Sequence, residues 1–286
     1  MITPFRDDGT VDYEVAAEVA RFLVSEGSDG LVVAGSTGEG FALSDDEKLT
    51  LFTAVAHAVT VPVLAGTSSS DTASSVSLTS HVASTGVAGV LATTPAYARP
   101  SQSGIAAHLT AMAKATPLPV MLYDVPTRTG RKISASTTIN LVHDVKNIVA
   151  IKDASADLPS AAHMKSVLGG AIDIYCGDDS WLLPFMAIGA VGIVSVASHW
   201  ASPEFAGIVN AVIKDDWERA RELNERVARS CQFEGGEQYP NPQPAKAALR
   251  ALGLRVGQCR LPIGPSDDAL DVLAREIVSE LRAQRG

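Results

Sequence analysis

A chain of 286 residues, 46% hydrophobic and 19% charged, is long enough to bury one large core, as a single α/β barrel or as two ordinary domains. Its formal net charge of -9, with no basic run, argues against a nucleic-acid partner, and no stretch of about 18 apolar residues is present to span a membrane. Cys176, Cys231 and Cys259 lie far apart, in neither a disulfide framework nor a CxxC metal pattern, and residues 1–6 show no apolar segment behind a basic start, so a reduced, soluble, cytoplasmic protein is expected.

Ile2 and Thr3 give a shortened first strand. Continuous apolar runs follow at residues 30–34, 62–66, 89–93, 119–123, 148–152, 173–177 and 192–196. They are unbroken rather than alternating, as parallel strands covered on both faces are. Amphipathic stretches lie between them. Ser44 and Glu47 form a capping box for a helix with Leu49, Phe52, Val55 and Ala56 on one face. Asp71 caps the run carrying Val76, Leu78 and Val82, and Ser101, Ser134 and Asp157 start three more. His57, His81, His108 and His163 fall within helices and read as helix-surface residues. Cys176 reads as a small core residue. Strand starts recur at roughly 30-residue intervals, the size of one βαβ unit, and about eight strands fit a (β/α)8 TIM barrel. A doubly wound open sheet is the alternative, weakened because no GxGxxG opens the first helix. After Ala201 the strand signal stops. Residues 203–214, 217–231, 244–252 and 267–282 read as helices, with a Gly- and Pro-rich loop over 233–244. The expected division is a catalytic barrel over residues 1–214 and a C-terminal helical domain over 215–286.

In such a barrel the site lies at the C-terminal ends of the strands. The run 147–153 ends on Lys152, and a lysine at the end of a buried strand is costly unless it is used. Desolvation disfavours the ammonium and makes the amine a nucleophile able to form a Schiff base with a carbonyl. The alternative is a surface lysine where the strand emerges. Residues 35–40, Gly-Ser-Thr-Gly-Glu-Gly, leave backbone N–H groups free to surround an anion, and Ser36 and Thr37 add hydroxyl donors. The loop lacks the Gly-Lys-Ser/Thr ending of a phosphate loop, so a small carboxylate suits it better, unless it is only a turn joining strand to helix. Tyr123 stands 29 residues before Lys152, which puts the two at the tips of neighbouring strands, where a phenol can shuttle protons. Arg128 offers a planar fork for a second carboxylate. Tyr97, between Pro95 and Pro100, is an aromatic in a stiff loop suited to a protein contact. Taken singly, Tyr123 also reads as core and Arg128 as loop surface. Asp178 and Asp179 are adjacent, which is not by itself a metal site, and no His/Asp/Glu cluster at ligand spacing appears.

Together, residues 35–39, 123–130 and 151–153 resemble the dihydrodipicolinate synthase (4-hydroxy-tetrahydrodipicolinate synthase) family, which belongs to the pyruvate-dependent class I aldolases with the N-acetylneuraminate lyase type of barrel. Residues 94–104, Gly177-Asp178-Asp179 and Tyr239-Pro240-Asn241-Pro242 also look like its blocks, so the resemblance covers nearly the whole chain. It implies that Lys152 forms a Schiff base with pyruvate. Tyr123, Ser36 and Tyr97 would be a proton-relay triad, with Tyr97 reaching into a neighbouring subunit. Ser36 and Thr37 would hold the pyruvate carboxylate, and Arg128 the carboxylate of L-aspartate 4-semialdehyde. Gly177 and Val194 would line the pocket through backbone groups. No metal or organic cofactor is implied, and a tetramer built from tight dimers is. The sequence departs from the family where Ser36 replaces the usual Thr and Ala96 precedes Tyr97 in place of an aromatic. Asp45, Lys48, Ser70 and Ser74 are unusual near the family's lysine-feedback pocket, so weak or absent inhibition by lysine is expected. The short start implies either residues upstream or a barrel that opens with a stub. Two other readings share parts of this pattern: a sister aldolase acting on another 2-oxo acid or sugar acid, and a non-catalytic binding protein on the same fold.

Overall fold

In the computed structural model, which describes residues 1–285, the elements run in this order: α1 (Tyr13–Ser25), β1 (Leu31–Val33), α2 (Asp45–Ala58), β2 (Val63–Gly66), α3 (Thr72–His81), β3 (Gly89–Thr93), α4 (Gln102–Lys114), β4 (Val120–Asp124), α5 (Pro126–Thr129), α6 (Ala135–Asp144), β5 (Ile148–Asp153), α7 (Leu158–Leu168), β6 (Asp173–Cys176), α8 (Leu182–Ala187), β7 (Gly192–Ile193), α9 (Ser198–Ile213), α10 (Trp217–Phe233), α11 (Gln243–Ala251) and α12 (Asp268–Ala283). The helices start where the sequence offers a side-chain acceptor. The Ser44 hydroxyl accepts from Glu47 N–H while Glu47 reaches back to Ser44 N–H, completing the capping box of α2. Asp71, Ser101, Ser134 and Asp157 each accept from the backbone N–H three residues on. Helix α9 contains Pro203 and breaks from helical geometry at Ala201.

Strand order in the sheet is chain order, and the pairings from β2 to β7 are all parallel. A doubly wound sheet needs a switch point where the order reverses; this one has none, which leaves the repeating wall of a β/α barrel. Seven strands are formed among the described residues, and Ile2–Thr3 is not an eighth. The reason lies in its partners. Ile2 N–H donates to His199 Nε2 at 3.0 Å rather than to a strand carbonyl, and the Thr3 hydroxyl donates to Gly38 O at 2.6 Å. His199 Nδ1 faces Val196 O at 2.6 Å, and burial pushes the imidazole down to about 3, so the ring is neutral and its Nε2 lone pair is free to accept.

The chain gathers into two compact units, residues 64–194 and residues 1–63 with 195–286. In the first, apolar strand residues such as Leu122, Ile148, Ile151 and Ile174 are buried. Asn147 ties the start of β5 to the end of α4, its amide donating to the carbonyls of Ala113, Thr116 and Leu118 at 2.8–3.2 Å. His108 corrects the sequence expectation. It is buried in α4, 2.9 Å from the Thr72 hydroxyl, and burial lowers its pKa; His57, His81 and His163 are exposed as expected. Cys176 is buried as a core residue. In the second unit, Trp200 packs edge-on against Phe233 at 5.6 Å and its indole N–H reaches Ser230 Oγ at 3.0 Å, joining α9 to α10.

Candidate active site

Within residues 64–194 the site is built on β4 and β5. The register pairs Tyr123 with Lys152 and Asp124 with Asp153. Because successive side chains in a strand point to opposite faces, Tyr123 and Lys152 share one face and the two aspartates the other. Lys152 is 9% exposed, and its Nζ lies 4.5 Å from the centre of the Tyr123 ring. That distance is within cation–ring attraction and sets the amine against the Tyr123 ring.

The next strand presses on the lysine. Gly177 follows β6, and its N–H donates to Asp153 O at 2.7 Å. A Cβ at Gly177 would stand 2.9 Å from Lys152 Cγ, 3.0 Å from its Cε and 2.8 Å from Ala154 Cβ. Glycine is what lets the backbone come this close to the stem of the lysine. Val194 N–H donates to Cys176 O at 2.9 Å, so the N–H groups of Gly177 and Val194 are both used in the ladder and each can offer its carbonyl oxygen.

On the opposite face, Asp124 accepts from Ile133 N–H at 3.0 Å and Lys132 Nζ at 3.2 Å. Lys132 also donates to Ser155 Oγ at 2.6 Å and stands 3.6 Å from Asp157. Burial raises Asp124 to about 6, against the pull of these donors. The network ties down the segment 125–133 that carries Arg128. Arg128 is exposed on α5, which ends at Gly130 with φ +75°, a conformation that glycine takes without strain. The loop 94–100 lies beside it: Arg131 donates to Arg99 O at 3.1 Å, and Arg99 packs on Gly130. Tyr97 projects from that loop 98% exposed, at φ +70°.

The glycine-rich loop belongs to the other unit. Gly40 N–H closes on Gly35 O and Glu39 N–H on Ser36 O, both at 3.1 Å. A Cβ on Gly40 would fall 2.1 Å from Ala34 O, and one on Gly38 would fall 2.9 Å from Met1 O, so neither position admits a side chain. Ser36 and Thr37 are half-buried at the turn. Glu39, at φ +53°, is buried and ion-paired to the buried Lys246 at 2.7 Å, and its other oxygen accepts Arg260 N–H at 2.9 Å. Lys246 Nζ and the Arg260 guanidinium both lie over the Phe5 ring, at 4.2 and 4.4 Å. Burial lowers the pKa of Lys246 while Glu39 pulls it back up. Asn241 Nδ2 donates to the Thr37 hydroxyl at 2.9 Å.

Lys152, Tyr123 and Gly177 are thus drawn together in one unit, with Arg128, Tyr97 and Val194 in the same unit. Ser36 and Thr37 sit on the loop of the other. Among the described residues no group of three or more His, Cys, Asp or Glu side chains is placed to hold a metal ion, and no helix is long and apolar enough to cross a membrane.

The sequence profile of the dihydrodipicolinate synthetase family matches residues 1–280. The chain belongs to this family. It is 42% identical to the 4-hydroxy-tetrahydrodipicolinate synthase of Symbiobacterium thermophilum, over 98% of this chain and 95% of the relative. Among solved structures, a dihydrodipicolinate synthase from Bacillus anthracis superposes with a TM-score of 0.93 at 37% identity, over 98% of this chain and 95% of that one. The enzyme from Cyanidioschyzon merolae, solved with lysine bound, gives 0.94 at 37% identity, over 99% and 96%. The α/β barrel-type fold with a C-terminal helical region expected from the sequence is therefore the fold of this dihydrodipicolinate synthetase family chain.

Residues the sequence reading did not single out for the site are Asp124, Lys132 and Asp153 behind the lysine, and Glu39 and Lys246 behind the loop. A signal existed for the first group, since an aspartate directly follows both Tyr123 and Lys152 at the strand tips. For Lys246 there was none, because its partner lies about two hundred residues away (Glu39).

Proposed function

We propose that the chain condenses pyruvate with L-aspartate 4-semialdehyde to 4-hydroxy-tetrahydrodipicolinate, in the biosynthesis of diaminopimelate and lysine in the cytoplasm, with Lys152 as the Schiff-base amine. The observation that carries this is a near-buried lysine with its Nζ 4.5 Å from a tyrosine ring on the neighbouring strand, in a chain of this family. Lys152 Nζ adds to the ketone carbon of pyruvate and water leaves, giving the imine. Loss of a proton from the methyl carbon gives an enamine. That carbon attacks the aldehyde, and the product cyclises with release of the lysine. Tyr123 relays the protons, with Ser36 and with Tyr97 from a neighbouring subunit. Ser36 and Thr37 hold the pyruvate carboxylate, Arg128 holds that of the aldehyde, and Gly177 and Val194 line the pocket. On this reading residues 1–214 carry the catalytic barrel and 215–286 a helical appendage.

A homotetramer made of two tight dimers completes the proposal. Its support is Tyr97, an aromatic ring 98% exposed on a loop buttressed by Arg99 and Arg131, a residue type enriched where protein surfaces meet.

A coupled assay with both substrates tests the reaction. Borohydride added with pyruvate should leave a covalent mass gain on Lys152, and Lys152→Ala should abolish both the adduct and turnover. An adduct without condensation would point to another 2-oxo acid aldolase; no adduct at all would overturn the Schiff-base assignment. Sedimentation at micromolar concentration tests the tetramer.

A further inference from the structure

The block Tyr239-Pro240-Asn241-Pro242 has no role in the chemistry above, yet it supplies the side chain that touches Thr37. An amide nitrogen can only donate, so in the bond from Asn241 Nδ2 the Thr37 oxygen is the acceptor. A hydroxyl has one proton. With a lone pair committed to Asn241, that proton is available to an acceptor on the other side of the oxygen. A carboxylate accepts and never donates.

Asn241 is held for this task. Among the described residues its buried Oδ1 has no hydrogen-bond partner, so the bond to Thr37 is the polar commitment of the side chain. The segment around it is pinned at several points. Gln243 N–H donates to Pro240 O at 2.9 Å, and the Gln243 amide donates to Gly264 O and Pro265 O at 3.1 and 3.2 Å. The Tyr239 hydroxyl donates to Asp267 at 2.9 Å. Five residues beyond Asn241, Lys246 grips the same loop at Glu39 and donates to Gln258 O at 2.8 Å. One stretch of the C-terminal helical region therefore holds the loop both at Thr37 and at Glu39.

We propose that Asn241 is a positioning residue: by donating to the Thr37 hydroxyl it turns that hydroxyl's proton toward the substrate, so that the glycine-rich loop meets the pyruvate carboxylate with a donor. This rests on the loop being the carboxylate cradle. Removing Asn241 frees the hydroxyl to rotate. Replacing it with aspartate reverses the bond, because an ionised carboxylate takes the Thr37 proton for itself and adds a like charge behind the cradle.

The test is steady-state kinetics of Asn241→Ala, Asn241→Asp, Thr37→Val and the double variant Asn241→Ala/Thr37→Val, with thermal melts to establish folding. Asn241→Ala should raise the pyruvate KM by about threefold, the worth of one oriented hydrogen bond, with the aldehyde KM unmoved. Asn241→Asp should raise it by about tenfold or more, and the rise should shrink as pH falls and the new carboxyl protonates and can donate again. In the Thr37→Val background Asn241→Ala should have no further effect on the pyruvate KM. If Thr37→Val raises that KM but Asn241→Ala does not, or raises it equally with Val at position 37, the proposal alone fails. If Thr37→Val itself leaves the KM unchanged, the carboxylate cradle fails and this proposal with it. Should Asn241→Asp not fold, the alanine pair alone decides.

Discussion

Gly177→Ala probes how closely the barrel wall must approach its lysine. The added methyl would lie 2.8–3.0 Å from Ala154 Cβ and from Cγ and Cε of Lys152. Carbon atoms pack at about 3.5–4.0 Å, so between about 0.5 and 1 Å must be found somewhere. The backbone of Gly177 is held by its 2.7 Å bond to Asp153 O, and Ala154 sits on a second side. Cγ lies near the root of the lysine side chain and has little freedom to swing. The stem, and with it Nζ, is the part that yields. Overpacking of this size costs about 1–3 kcal/mol of stability, and a displacement of about 1 Å of a reacting group lowers rate on the order of 100-fold. The expected result is a modest fall in Tm and a fall in kcat/KM for pyruvate approaching 100-fold, while borohydride still marks Lys152. A kcat/KM within about threefold of the parent would refute the reasoning, since a methyl worth that little in rate does not move the amine.

Arg128→Ala should raise the KM for the aldehyde by about tenfold or more while pyruvate trapping on Lys152 is unchanged; equal loss of both steps would mean that Arg128 has another task. Asp124, at about 6 in the fold against 3.8 for the free side chain, favours the protonated form in the native state, so its contribution to stability is present below pH 4 and is lost as pH rises through 6. The shift is worth roughly 3 kcal/mol, and Asp124→Asn should therefore gain on the parent by about that much between pH 4 and pH 7.5, read by denaturant melts; a pH-independent difference would contradict the burial argument. Lysine should inhibit weakly or not at all, because Asp45, Lys48, Ser70 and Ser74 are unusual near the expected feedback pocket, and the buried Lys48 is already paired with Asp45 at 3.5 Å. Inhibition at sub-millimolar lysine in the coupled assay would oppose that.

Local chemistry was legible in the sequence, and distant pairing was not. The caps at Ser44, Asp71, Ser101, Ser134 and Asp157 depend on an acceptor and an N–H three residues apart, so a short window contains the whole interaction. Most apolar runs became strands at nearly their expected bounds, though the last, 192–196, is a strand only over Gly192–Ile193, and the 29-residue spacing of Tyr123 and Lys152 became direct register. The face of α2 was harder. Phe52 and Val55 are buried as expected, but so are Leu51 and Lys48, and the depth of a lysine follows from what packs over it. His108 looked like surface because its hydrogen-bond partner, Thr72, lies on another helix. Ile2 and Thr3 looked like a strand because their composition fits one; His199 and Gly38 take their polar groups instead. The pairing of Lys152 with Tyr123 on neighbouring strands could thus be named in advance, while the aspartates behind them and the ion pair behind the glycine-rich loop belong to tertiary structure.

The unit that holds that loop is discontinuous: residues 1–63 are completed by residues 195–286. Phe5 under Lys246 and Arg260, Ile2 on His199 and Glu39 on Lys246 each join the first of these segments to the second. During synthesis the ribosome therefore releases the turn at Ser36 and Thr37 long before Asn241, Lys246 and Arg260 exist to brace it, and the turn is unfinished until that stretch has emerged. A truncation just ahead of Asn241 would leave the lysine and its strands in the chain and remove the scaffold that shapes the turn.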